Sequence, residues 1–258
     1  MNIILNARQK QVVDLVQSFH FITIKQLAQQ LQVSEMTIRR DIQILAEANM
    51  LKQVFGGVTA LKPNETGTNY SITQAKSHNM NSKVQIAKKA IELLNPNEVL
   101  FFDIDTTTQA LAEQLPPNAS NTIITSSFNI LEILARLPDC TIISAGGVYS
   151  PKQKVFYNHD SADFFKRYRA NKAFIGTTGF DLNLEFTCSY LEDVPLKQAM
   201  IESSKERILL TDSSKFGKVS TYFFGRLSDF TMIITDNAIS DEYADHIRSS
   251  GVELILVQ

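Results

Sequence analysis

From Arg8 to Phe19 the apolar residues Val12, Val13, Leu15, Val16 and Phe19 recur at helical spacing, which predicts an amphipathic helix. Ile22-Thr23-Ile24 is a short β-branched piece, suited to a small strand or to a turn into the next helix. Ile24, Leu27, Ala28 and Leu31 then lay out a second helical face. Ser34 follows as an N-cap whose hydroxyl can accept from a free first-turn N–H. Thr37, three residues on, makes this a simple cap rather than a reciprocal capping box. Ile38, Ile42 and Leu45 share the buried face of a third helix, which leaves Glu35, Met36, Thr37, Arg39, Arg40 and Gln43 on or near its outward side. Leu51 to Val58 reads as a hairpin, with Gly56-Gly57 supplying the positive φ of its turn.

Beyond this, residues 61–75 are polar, contain Pro63 and Gly67 and show no periodicity, as a linker would. The pattern then changes. A helix is predicted from Ser82 to about Leu94, and Val99-Leu100-Phe101-Phe102 is a continuous apolar run that fits a strand buried on both faces. Further strands are predicted at 122–125, 141–145, 173–176, 208–211, 232–235 and 253–257. Helices are predicted at 107–114, 128–137, 161–168, 194–204 and 241–250. The alternation predicts a doubly wound α/β sheet, whose ligands sit beyond the carboxyl ends of the strands. The chain thus divides into 1–60, a linker over 61–75, and 76–258.

Composition narrows the function. No apolar run approaches the ~20 residues of a membrane span, and the first residues lack the apolar core of a secretory signal, so a cytoplasmic protein is expected. Cys140 and Cys188 make no disulfide framework, and His20, His78, His159 and His246 fall in no metal-ligand spacing, so neither a metal nor another cofactor is expected. The formal charge of −2 is unevenly placed. Residues 1–60 carry six basic and four acidic side chains, and the remainder is net acidic. This suggests that only the first part meets a polyanion, but on charge alone +2 over sixty residues is better read as ordinary surface variation, so the residue pattern decides.

Two short helices and a capped third make a tri-helical DNA reader, with the third helix entering the major groove. Thr37 and Arg40, one turn apart, are the expected base contacts, since Arg matches guanine O6/N7. Arg39 and Lys25 are expected on phosphates, and Lys52 on the hairpin wing is free to touch backbone. Asp41 has the wrong charge for phosphate and is expected to orient a neighbouring Arg. In the second part, polar clusters recur at strand ends: Asp103 to Thr108, Thr125-Ser126-Ser127, Gly146-Gly147, Gly176-Thr177-Thr178-Gly179, and Thr211 to Gly217. Thr106, Thr107 and Thr108 open a helix, where hydroxyls and free N–H groups form an anion cradle. Five clusters at one end of the strands favour a shared pocket.

Val33-Ser34-Glu35-Met36-Thr37-Ile38-Arg39-Arg40-Asp41-Ile42, with Phe55-Gly56-Gly57-Val58 after it, resembles the amino-terminal signature of DeoR/GlpR-type transcriptional regulators, V-S-x-x-T-I-R-R-D-L and H-G-G-A. Phe55 replaces the His. The resemblance continues through most of the chain. Asp103 to Thr108 stands where the family has the phosphate loop D-x-G-T-T-T, Thr125-Ser126-Ser127 where it has T-N-S, and Asp212 to Gly217 matches D-S-S-K-F-G. Thr187 to Lys197 is similar to T-C-x-x-L-E-E-L-P-V-K.

What the resemblance implies is a winged helix-turn-helix followed by a doubly wound sensor domain similar to ribose-5-phosphate isomerase. It implies a repressor of a sugar or nucleoside catabolic operon, not an enzyme, partnered by operator double-stranded DNA. A small phosphorylated sugar would release it, and the chain would work as a homo-oligomer, dimer or tetramer. By residue, Thr106, Thr107 and Thr108 would hold phosphate and Lys215 would contact phosphate or sugar oxygens. Asp103, Glu192, Asp193 and Lys197 would contact hydroxyls, with Ser126, Ser127, Gly146, Gly147, Thr177 and Thr178 completing the pocket. Two alternatives stand beside this: an aldose–ketose isomerase using Asp103, Glu192 and Lys215, and a ligand-independent oligomeric DNA-binding protein. Asp105 departs from the pattern by taking the place of the loop glycine. Either it points out of the loop, or the effector is not phosphorylated, or the pocket is degraded.

Overall fold

A computed structural model describes residues 6–19, 21–47, 50–54, 57–60, 79–158, 160–183 and 185–258. It divides the chain into two compact units, Met1–Asn69 and Tyr70–Gln258. The expected linker, 61–75, lies outside the described residues, as do Phe55, Gly56, His20, His78 and His159.

In the first unit, α1 (Ala7–Phe19), α2 (Ile24–Gln30) and α3 (Glu35–Glu47) bury the apolar stripes read from the sequence. Val12, Val16, Leu27, Ile38, Ile42, Leu45, Leu51 and Val58 form one core. The β-branched piece is strand β1 (Phe21–Thr23), which pairs antiparallel with β3 (Gly57–Ala60), and β3 pairs with β2 (Leu51–Val54). Val54 of β2 pairs with Gly57 of β3. The reciprocal capping box is found on α2, where the sequence reading had not placed one. Thr23 Oγ1 accepts from Gln26 N at 3.2 Å while Gln26 Oε1 accepts from Thr23 N at 3.0 Å.

The second unit is built on a seven-stranded parallel sheet. Its strands are β4 (Val99–Phe102), β5 (Thr122–Ile124), β6 (Thr141–Ile143), β9 (Ala170–Ile175), β12 (Ser204–Leu210), β14 (Met232–Asp236) and β15 (Glu253–Val257), in the order β15-β14-β12-β9-β4-β5-β6. Alternate residues go to opposite faces. Leu100, Phe102, Phe174, Ile208 and Ile234 pack with α4 (Met80–Ile91), α5 (Thr106–Glu113) and α6 (Phe128–Leu134). Phe101, Ala173, Leu209 and Ile233 pack with α7 (Ser161–Lys166), α8 (Asp193–Glu202) and α9 (Asp241–Ser249). Helices therefore cover both faces, as the apolar runs require. From β4 the order runs one way to β5 and β6 and the other way to β9, so the crevice beyond β4 and β9 is the switch point where such sheets bind ligands.

Two small antiparallel pieces complete the unit. One is the hairpin β7 (Val148–Ser150) and β8 (Val155–Tyr157); the other is the sheet β10 (Gly179–Asp181), β11 (Glu185–Cys188) and β13 (Tyr222–Gly225). The central strands carry buried charge at both ends. Lys172 on β9 pairs with Glu98, one residue ahead of β4, and Asp103, one residue past β4, pairs with Lys197 of α8. Among the described residues, no helix is long and apolar enough to cross a membrane.

Candidate nucleic-acid interface and ligand cleft

Of the acids on α3, Asp41 is withdrawn from the outward side while Glu35 stays exposed. Asp41 is buried and accepts from Arg8 Nε at 2.6 Å, from Arg8 NH2 at 3.3 Å and from Gln9 Nε2 at 3.4 Å. The Arg it orients is thus on α1 rather than beside it on α3. Its hydrogen bond and charge hold the Arg8 guanidinium above the ordinary arginine value. Arg39 and Arg40 remain exposed, next to Glu35, Gln43 and a Met36 that is 76% exposed, and Lys25 is exposed on α2. Ser34 Oγ accepts from Thr37 N at 3.2 Å and lies 2.9 Å from Thr37 Oγ1, so the Thr37 hydroxyl is held at the helix tip. Lys52 lies on β2, and its side chain is outside the described residues. Thr37 and Arg40 share one face of a helix whose other face is pinned by Ile38, Ile42 and Leu45.

In the second unit a cleft of about 460 Å³, part of it open to solvent, lies beyond the carboxyl ends of β4 and β9. Ile104 and Asp105 follow β4, Thr177 and Thr178 follow β9, Cys188 ends β11, and Ser189 and Tyr190 follow it. Asp193 and Lys197 come from α8, and Gln153, Val155 and Tyr157 come from the β7–β8 hairpin. Pro195 is tolerated in α8 because it lies in the first turn, where no intrahelical N–H is needed. That start places Asp193 and Lys197 one turn apart on the cleft side.

Lys197 is the electrostatic centre. Its ammonium bonds the Asp103 carboxylate and the Gly176 carbonyl (2.9 Å), and it lies 5.0 Å from the Phe224 ring centroid. Burial alone would lower its pKa, but Asp103 and then Asp105 outweigh burial and hold it above the usual lysine value. Asp103 Oδ2 also accepts from Gly176 N at 2.9 Å, whereas its buried Oδ1 has no hydrogen-bond partner among the described residues. Asp193 accepts from Tyr157 OH at 2.7 Å across the cleft. Its carboxyl is pushed up to about 7 by burial, against the pull of Lys197 and the Tyr157 bond. Burial likewise lifts the Cys188 thiol to about 12, which leaves it an inert wall.

Of the residues expected in the pocket, Asp105, Thr177, Thr178, Asp193 and Lys197 line this cleft, and Asp103 lies beneath it on Lys197. The others do not reach it. Thr106, Thr107 and Thr108 are buried in the first turn of α5, and the amides of Thr107 and Thr108 donate to Asp105 rather than facing an open cradle. Ser126 is fully buried, and Ser127 is buried as the N-cap of α6. Gly147 does serve a close approach, but to the chain itself: a Cβ there would stand 2.3 Å from the Tyr157 carbonyl oxygen. Gly146, at φ +60, turns the chain beside it. Glu192 is exposed at the start of α8.

Lys215 sits apart on a 3-10 turn, Ser213–Lys215, beside Asp212, which also accepts from Asn79 Nδ2 at 2.7 Å and lies near the buried Lys83. Burial would raise Asp212, yet the bonds from Ser214 and Asn79 and the two lysines hold it below the carboxylate range. Sequence reasoning missed Tyr157, Gln153 and Tyr190, because the strands and loop that present them carry no periodic signal.

The chain is similar in sequence to known proteins. Residues 8–64 match the model of the DeoR-like helix-turn-helix domain, and residues 78–237 match that of the DeoR C terminal sensor domain. An uncharacterized HTH-type transcriptional regulator of Haemophilus influenzae is 32% identical over 256 residues, covering 97% of this chain and 96% of its own. The deoxyribose operon repressor of Escherichia coli K12 is 30% identical over 232 residues, 90% of each chain. Among solved structures, ribose 5-phosphate isomerase A of Methanocaldococcus jannaschii overlaps 54% of this chain and 55% of its own at 15% identity, with a TM-score of 0.40.

Proposed function

The chain belongs to the DeoR family of DNA-binding transcriptional regulators, and from that premise we propose that it represses a sugar or nucleoside catabolic operon and leaves its operator when a small phosphorylated sugar fills the cleft. The observation that carries this reading is the polar cleft at the switch point of a sheet whose chain also bears an exposed cationic recognition helix. Thr37 and Arg40 read base edges, while Arg39, Lys25 and Lys52 hold phosphates. Ser34 fixes the helix tip, and Glu35, Met36 and Gln43 flank the contacts. Two such helices about 34 Å apart read a palindrome, so the working form is a cytoplasmic homo-oligomer, dimer or tetramer. Release follows from population shift: the effector binds the DNA-incompetent arrangement more tightly than the competent one.

Fluorescence anisotropy with the DNA upstream of the chain's own gene and of its neighbours tests the first half. Binding that survives random competitor is expected, and its absence overturns the DNA assignment. Titrating sugar phosphates into that complex tests the second half, and failure of all of them to release DNA overturns the effector assignment while leaving DNA binding in place.

Turnover is the second reading, and one observation favours it: Asp193, near 7 and beside Lys197, has the proton affinity that a base for proton abstraction needs. We assign these groups to binding instead. Ribose 5-phosphate converted to its ketose by the full chain, and lost in Asp193→Asn, would overturn that assignment.

A further inference from the structure

Of the three possibilities the sequence leaves for Asp105, the structure removes one, because the carboxylate points inward. Asp105 is the N-cap of α5: Oδ1 accepts from Thr107 N at 2.6 Å and Thr108 N at 3.0 Å, and Oδ2 accepts from Thr108 Oγ1 at 3.3 Å. On its other side it fills a notch left by a missing side chain. A Cβ on Gly176 would stand 1.4 Å from Asp105 Oδ2. Two amides, a hydroxyl and a glycine notch converge here, and these are the donors and the space that an oxyanion of a ligand needs. They are occupied by an oxyanion that the chain itself supplies.

We infer that Asp105 is a tethered carboxyl group occupying the seat of a ligand phosphate, and that it sets how strongly the cleft discriminates against phosphorylated ligands. This rests on the reading of the cleft as the effector site. A phosphate reaching the Thr107 and Thr108 amides must expel a carboxylate that is covalently attached and therefore present at high effective concentration. A phosphate docking beside it instead meets a like charge. At about 4 Å and an effective dielectric near 20, repulsion from the ionised carboxylate is worth at most on the order of a thousandfold in affinity, because burial and then Asp103 raise the Asp105 pKa and favour its neutral form. Lys197 offers little relief, since it is already bonded to Asp103.

A sugar hydroxyl meets the opposite situation. Asp193 lines the cleft as an acceptor, and Asp103 Oδ1 is a buried acceptor without a partner among the described residues, whereas both Asp105 oxygens are taken up by the first turn of α5. Asp105 thus raises the concentration at which a phosphorylated effector fills the cleft and leaves recognition of the sugar hydroxyls untouched.

The test uses the full chain and three probes, orthophosphate, ribose 5-phosphate and ribose, titrated calorimetrically into wild type, Asp105→Gly and Asp105→Asn. Asp105→Gly vacates the seat, and both phosphate-bearing probes are expected to gain at least about tenfold in affinity, a conservative share of the Coulomb figure. Asp105→Asn retains a capping side chain and removes the charge, so it should move the same way by less. Ribose affinity should stay within about twofold across the three proteins, since no charge on ribose meets Asp105. Melting curves establish that each variant folds; if Asp105→Gly does not, Asp105→Asn decides. Three outcomes overturn the inference: no gain for phosphate-bearing probes, an equal gain for ribose, or wild type binding orthophosphate as tightly as the variants. Operator DNA is absent from this experiment, so its failure leaves the regulator reading intact, and failed release of DNA leaves this result standing.

Discussion

Replacing Lys197 by Met keeps most of the side-chain length and its apolar stem but removes the ammonium. In the folded unit the Lys197 side chain is 4% exposed and that of Asp103 is 1% exposed, so both charges have left water. After the substitution Asp103 Oδ2 retains only the Gly176 amide at 2.9 Å, Oδ1 still has no partner among the described residues, and the Gly176 carbonyl loses its donor. Removing one member of a buried ion pair costs about 3–5 kcal/mol, chiefly from the uncompensated charge that remains. Contact of the Met thioether with the Phe224 ring offsets only a fraction of that. For a unit of this size each kcal/mol moves the melting temperature by roughly 2–4 °C, so a fall of roughly 6–20 °C is expected at neutral pH.

The companion is Lys197→Met with Asp103→Leu. Replacing both charges by apolar groups of similar volume is often neutral, so the double variant should recover most of the loss. Scanning calorimetry of the full chain, following the transition of the larger unit, reads both. A fall of less than about 2 °C in the single variant, or a double variant no better than the single, would refute the claim that an uncompensated buried charge dominates.

Other outcomes follow from the same geometry. Asp193 titrates near 7 when folded against 3.8 in the exposed chain, so between those values the folded protein holds a proton that the unfolded chain has released, and stability falls as pH rises. Asp193→Asn removes that loss, and its melting temperature relative to wild type should climb from about pH 4 to about pH 7 and then level off; parallel curves would show that Asp193 does not carry the proton. Arg40→Ala should lose ~1–3 kcal/mol of discrimination at one operator position, whereas Arg39→Ala should weaken all sequences alike and reduce the salt slope by about 1. Identical salt-independent losses for both would break that division. Gly176→Ala drives a methyl into the Asp105 carboxylate and should destabilise by about 1–3 kcal/mol, with Asp105→Gly in the same chain restoring stability in urea melts. Additivity of the two would place Asp105 elsewhere.

Elements with a strong period were legible in the sequence. The stripes of α1 to α3 and the run Val99–Phe102 appear where the pattern put them, because burial of those faces is what forms the elements. Boundaries shifted where polar residues continue a buried strand: β12 begins at Ser204, four residues before the apolar stretch, since Ser204-Lys205-Glu206-Arg207 pairs with β9 through its backbone. The hairpin β7–β8 and the sheet β10-β11-β13 were not legible. Their strands are three or four residues long, too short for a period of two to show.

The site suffers from the same limit. Residues just past the buried central strands β4 and β9, Asp103, Asp105 and Thr177, were readable. Tyr157 reaches the cleft from a hairpin that has no pattern of its own. Asp105 could be singled out as anomalous but not aimed, because direction is decided by the Gly176 notch 71 positions away.

A parallel strand that is apolar on both faces has nothing in its own side chains to tell it where along its neighbour to stop. Sliding β9 past β4 would exchange one greasy residue for another, and hydrocarbon contact would hardly change. The lysines break that degeneracy. With Glu98 and Lys172 gripping one end of the strand pair, and Asp103, Gly176 and Lys197 the other, a slip of one position would strand ions in hydrocarbon at both termini. Alignment of the middle of the sheet is therefore dictated by its few charged residues rather than by its many aliphatic ones, and the crevice walls inherit their spacing from that alignment.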